Sequence, residues 1–128
     1  MFKNTKAFSG FSVNDIQKAK EFYGQILGLG VGQLPMDSLE LQIAGGTKIL
    51  IYAKSDHTPA SFTILNFPVD DLETAVEQLK TRGVRFESYE DPIKTDEKGI
   101  HREPGAPDIA WFRDPAGNVL SVIEEKPM

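Results

Sequence analysis

Val69-Asp70-Asp71-Leu72-Glu73-Thr74-Ala75 repeats, later in the chain, the pattern of Val13-Asn14-Asp15-Ile16-Gln17-Lys18-Ala19. Internal self-similarity is read before anything else because it dictates the architecture. Both copies follow a strand pattern and open a helix pattern. In the first, Asn14 is a good N-cap and Gln17 can complete a capping box. Ile16, Ala19, Phe22, Tyr23, Ile26 and Leu27 then recur at helical spacing, and Gly28 stops the helix. In the second, Asp71 caps a helix whose apolar face is Leu72, Ala75, Val76 and Leu79, ended by Gly83.

Working outward, residues 6–13, 30–34, 39–44 and 48–53 have strand patterns, with Gly45-Gly46 as a hairpin turn. Residues 61–69 and 84–89 repeat the theme. The chain then closes on a hairpin, Ile109-Ala110-Trp111-Phe112-Arg113-Asp114-Pro115-Ala116-Gly117-Asn118-Val119-Leu120-Ser121-Val122-Ile123-Glu124. Pro115 pre-sets one corner of its turn, and Gly117-Asn118 tolerate positive φ. Ser121 is a lone hydroxyl in an apolar, β-branched run. The expectation is an α+β fold of two βαβββ modules in one domain, module 1 about 5–54, a linker 55–60, and module 2 about 61–125. Residues 90–107, rich in proline, glycine and charge, form a long loop, the length at which loops are commonly functional.

At 128 residues, the chain can bury a core without staples. It has no cysteine, which excludes disulfides and thiolate metal sites. The net charge of -5 and the scattered cations argue against nucleic-acid binding. No apolar run approaches ~18 residues, so no membrane span is expected. Met1-Phe2-Lys3-Asn4-Thr5-Lys6 lacks a signal-peptide apolar core, so a cytoplasmic location is the default expectation.

Three passages resemble the vicinal oxygen chelate superfamily, which includes glyoxalase I, bleomycin-resistance proteins, fosfomycin-resistance enzymes and extradiol dioxygenases. They are Val13-Asn14-Asp15 through Phe22-Tyr23 to Leu27-Gly28, Val69-Asp70-Asp71-Leu72 through Leu79 to Gly83-Val84, and Phe112-Arg113-Asp114-Pro115-Ala116-Gly117-Asn118. The resemblance implies paired modules forming a U-shaped mixed sheet around a central cleft, and a homodimer. In catalytic members, His, Gln or Glu side chains on strands of both modules hold a divalent metal. Carried over by position, those slots fall on Phe8, Ile64 and Ser121, with the remaining one around Leu50 or Ile51. Phe and Ile have no lone pair to offer, and a neutral serine hydroxyl is a poor ligand by itself. No cofactor is therefore expected.

The resemblance makes Phe8, Phe62, Ile64, Asn66, His101, Arg102, Trp111 and Ser121 the predicted ligand-binding cleft. Phe62 and Asn66 are expected on the face of Ile64. Trp111 can stack a flat ligand or serve as core. His101 and Arg102, in the long loop, could meet an anionic group, with the glycine-flanked loop as a lid. Tyr52 reads as core or dimer packing, and His57 as a solvated linker histidine. No base is placed near Ser121 in sequence, so a nucleophilic role is disfavoured. Three functions follow. The first is a metal-free protein that binds a small organic ligand, as bleomycin-resistance proteins do. The second is a lyase, isomerase or dioxygenase with a relocated metal, or with metal-free catalysis by His101 and Arg102. The third is an inert interaction module.

Overall fold

The two aspartates shared by the repeat start the two helices. Asp15 and Asp71 both have extended backbones, and their carboxylates accept the N–H of Lys18 (3.1 Å) and Thr74 (3.2 Å). Each satisfies one of the orphan donors of a first helical turn. The Thr74 N–H also holds the Asp71 carboxyl below its ordinary value. The first cap is thus Asp15 rather than Asn14: Asp15 has the extended backbone, and its carboxylate takes the Lys18 N–H.

The computed structural model describes residues 1–125 and divides into two units, residues 1–58 and the part from Pro59 onward. Unit 1 contains β1 (Ser9–Val13), α1 (Ile16–Glu21), β2 (Gly30–Leu34), β3 (Ser38–Gln42) and β4 (Lys48–Ala53). α1 widens into a π-helical turn, Phe22–Ile26, where the Leu27 N–H bonds the Phe22 carbonyl. Gly28, at φ 77°, then ends it. Unit 2 contains β5 (Thr63–Pro68), α2 (Leu72–Thr81), β6 (Ile100–His101), β7 (Asp108–Arg113) and β8 (Val119–Glu124).

The sheet orders are β1-β4-β3-β2 and β5-β8-β7-β6, one topology written twice. In each, the first and last strands pair in parallel and the rest are antiparallel. A parallel pair requires a crossover, and the helix supplies it by lying on one face of its sheet. In unit 1, Ile16, Ala19, Phe22 and Tyr23 are buried with Val13, Leu39, Leu41 and Ile51. In unit 2, Leu72 and Val76 are buried with Ala110, Phe112, Leu120 and Val122. Each large apolar side chain in these layers contributes about 1.5–3 kcal/mol. The opposite face of each sheet carries no helix of its own unit.

Three expectations change. The first strand begins at Ser9, which leaves Phe8 outside it. Residues 84–89 form no strand: Phe86 makes one bridge to Phe112, and β6 supplies the missing pairing further along β7. The segment 90–107 is not a free loop. Buried Thr95 exchanges hydrogen bonds with the Tyr89 backbone, and Asp96 accepts the N–H groups of Lys98 and Ile100. No helix among the described residues is long and apolar enough to cross a membrane.

Candidate functional site

The helix-free face of unit 2 is built from the middle of its strands. Asn66 on β5 pairs with Ser121 on β8, which pairs with Trp111 on β7, so the three side chains share one face. Ser121 has no exposed surface, and its hydroxyl donates to Asn66 Oδ1. Trp111 Nε1–H donates to Thr63 Oγ1 at 3.2 Å. The indole is flanked by Tyr89 (centroids 5.6 Å, 63°) and by His101 (6.2 Å, 40°). Burial, then the Glu87 carboxylate, raises the Tyr89 phenol above its ordinary value against the pull of Arg113, so it is protonated at neutral pH. The result is an aromatic platform with an amide at its edge.

Of the expected cleft residues, Asn66, Trp111, Ser121 and His101 come together. Ser121 lies beneath Asn66 and Trp111, so an incoming molecule meets the amide, not the hydroxyl. Ile64 is the extra residue of a β-bulge between Thr63 and Leu65 and has no partner on β8. A bulge shifts the strand alternation by one residue. Thr63 therefore takes the Trp111 face. Phe62 precedes β5 and is 69% exposed. Thr63 and Tyr89 were missed because alternation counted from Asp71 cannot see a bulge, and Tyr89 sits beyond any regular strand.

Arg102 is not available to an anionic ligand. Its guanidinium pairs with Glu73 (2.7 Å), Asp108 (3.1 Å) and Asp96 (3.3 Å), tying the 90–107 segment to α2. His101 Nδ1 lies 2.8 Å from the Lys94 carbonyl, a further strap on the same segment. These contacts give no support to a lid.

In unit 1, the corresponding face carries Gly10, Leu50 and Glu40 in register. Phe8, 67% exposed, lines a small apolar pocket of about 190 Å³ with Leu34, Ile49 and Leu50, and Glu40 and Lys48 form an ion pair at 3.4 Å in its wall. His57 is no solvated linker residue: it is half-buried, and its Nδ1 is 2.7 Å from Ser12 Oγ. Tyr52, Ser12's partner on β4, is 39% exposed and therefore not core.

The residues present do not fit the divalent metal that the resemblance implies. Phe8 and Ile64 offer no donor, Leu50 and Ile51 none, and the Ser121 hydroxyl is spent on Asn66. Among the described residues, no group of three His, Cys, Asp or Glu is arranged to hold a metal ion.

The sequence pattern of the Glyoxalase/Bleomycin resistance protein/Dioxygenase superfamily matches residues 8–122, and this chain belongs to that superfamily. No curated protein matches it in sequence. Among solved structures, it is similar to TnmS3, an antibiotic binding protein from Streptomyces sp. CB03234 (23% identity, 96% of this chain and 98% of that chain, TM-score 0.69). It is similar to a superfamily member from Sphaerobacter thermophilus (23%, 94% and 98%, TM-score 0.71). It also resembles the fosfomycin resistance protein FosX from Listeria monocytogenes, complexed with Mn(II) and sulfate (17%, 96% and 91%, TM-score 0.71). At these identities the likeness is one of fold.

Proposed function

We propose that this protein binds a small organic molecule against the Trp111 face of unit 2, without a metal and without chemistry. The observation that carries the reading is the fixed indole. Trp111 is held by Thr63 and framed by Tyr89 and His101, with a polar amide beside it. An apolar, aromatic surface with a few placed polar groups is the usual composition of a small-molecule site. The donor-poor metal slots support binding over metal catalysis, and the antibiotic-binding relative is consistent with it. A cytoplasmic homodimer that binds neither nucleic acid nor membrane completes the proposal; exposed Phe8 and Phe62, each just before the first strand of its unit, support association.

Trp111 is the chain's one tryptophan, so its fluorescence reports on the site alone. A thermal-shift screen of flat and aliphatic organic compounds should find ligands that raise Tm. A ligand at a hundred times its Kd stabilises by about 2.7 kcal/mol. Those ligands should perturb Trp111 emission saturably. The absence of any shift across a broad library would sink the binding proposal. Tightly held Ni, Zn, Fe or Mn near one per chain on elemental analysis would sink its metal-free part.

The Ser12–His57 contact favours a second reading, metal-free proton transfer on the unit 1 face. A turnover lost in His57→Ala, with Trp111-reported binding unchanged, would select it.

A further inference from the structure

The polar pair beneath the platform sets the hydrogen-bonding sense of the site. Ser121 is fully buried, and among the described residues its hydroxyl has one partner, the Asn66 amide. A serine hydroxyl can donate or accept, and an amide can present either its oxygen or its nitrogen. Burial removes the ambiguity. If Asn66 turned its Nδ2 toward Ser121, the serine O–H would have no acceptor, and a buried donor without a partner is costly. The stable arrangement has Ser121 donating to Asn66 Oδ1. The amide oxygen is then engaged below, and the two Nδ2 hydrogens point away from Ser121. Asn66 is itself exposed.

We infer that Ser121 is a positioning residue that locks Asn66 as a donor, so that the site selects flat ring systems carrying a hydrogen-bond acceptor, a ring carbonyl above all. This rests on the proposed use of the Trp111 face as the ligand site. The hydroxyl of Thr63 accepts the indole N–H that fixes the ring plane, and the donor that Ser121 orients is the Asn66 amide. The face thus combines the Trp111 ring, framed by the tilted rings of Tyr89 and His101, with the outward donor of Asn66.

Two soluble probes of matched shape and charge test the inference by calorimetric titration of the full chain. Anthraquinone-2-sulfonate carries ring carbonyls, and anthracene-2-sulfonate lacks them. The quinone should bind about tenfold tighter, the worth of one well-made hydrogen bond. Ser121→Ala frees the amide to turn over, so the ratio of the two affinities should fall to about threefold or less. Asn66→Asp, at an exposed position, replaces the donor with an acceptor and should abolish the preference or reverse it. A merely structural Ser121 would weaken both probes together and leave their ratio unchanged, which would overturn the inference. Equal binding of the two probes to the native protein would also overturn it, while leaving the binding proposal intact. If neither probe bound, and the thermal-shift library were equally silent, the binding proposal would fall and the inference with it.

Discussion

At matching places on their sheets, unit 1 carries Gly10, Leu50 and Glu40, and unit 2 carries Asn66, Ser121 and Trp111. Gly10 and Asn66 each stand five residues before the capping aspartate. Leu50 and Ser121 each stand four after the turn glycine, Gly46 or Gly117. The rows have the same strands and the same pairing. One row presents apolar surface with an ion pair at its wall. The other presents an aromatic platform and a fixed amide. One topology thus carries two chemistries, because the pleat fixes only which positions face away from the helix, and each position is otherwise open to any side chain that fits.

The hairpin turns differ in the same way, and the largest expected effect tests them. Both close with a backbone bond across the loop, Ile43 N–H to Thr47 and Asp114 N–H to Asn118. Only unit 2 adds side chains: buried Asp114 accepts the N–H groups of Ala116 and Asn118 and the Asn118 amide. Asp114→Ala should therefore destabilise by about 2–3 kcal/mol in urea titration. Ile43→Ala should cost only about 1 kcal/mol of half-buried apolar surface. Equal losses would mean that the extra hydrogen bonds do not distinguish the turns.

Next in size is the first position of each row. A Cβ at Gly10 would lie 3.1 Å from the Leu50 carbonyl oxygen and 3.3 Å from its Cβ. The backbone there cannot yield cheaply, so Gly10→Ala should cost about 1–2 kcal/mol by thermal denaturation. Its twin already holds an asparagine. Stabilisation by Gly10→Ala, the outcome expected where space is free, would show that unit 1 could have carried the unit 2 row.

The smallest effect is local. Unit 1 fills its second strand position with the full ladder of β2, whereas unit 2 fills it with a strapped segment ending in β6. Burial would raise the Asp96 carboxyl, but the N–H groups of Ile100 and Lys98 and the Arg102 guanidinium outweigh it and hold the group below its ordinary value. A lowered carboxylate stabilises above its unfolded value of about 3.9, and that contribution fades as pH falls through the folded value. Hydrogen exchange at Lys98 and Ile100, corrected for intrinsic rates, should therefore accelerate below about pH 4. The β2 amides should not follow, and Asp96→Asn should lose the dependence. An acid response shared by β2 would contradict this contrast.

Much of the fold was legible because it rests on short-range rules. The capping aspartates, the helical spacing, the turn glycines and Asp114-Pro115 each act within a few residues, and their repetition gave two βαβββ units. The same rules placed the cap one residue early, at Asn14. They also read residues 84–89 as a strand, because an apolar alternation cannot reveal that pairing along β7 passes to β6. Trp111, Ser121 and Asn66 were legible as candidates from alternation and resemblance, and strand register brings them onto one face. Arg102 was misjudged because its three carboxylate partners come from separate parts of the chain.

By itself, then, the sequence determined the repeat, the two helices and most of the strands, the superfamily and the poverty of metal donors, all of which follow from residue type and spacing. Tertiary structure decided the rest. The Thr63/Leu65 bulge chose which β5 residues share the Trp111 face, the β5–β8 register set Asn66 over Ser121, and His57 met Ser12. The physical reason is the same in each case. Hydrogen-bond partners far apart in sequence are chosen by strand register and burial, and a one-residue shift exchanges the two faces of a sheet.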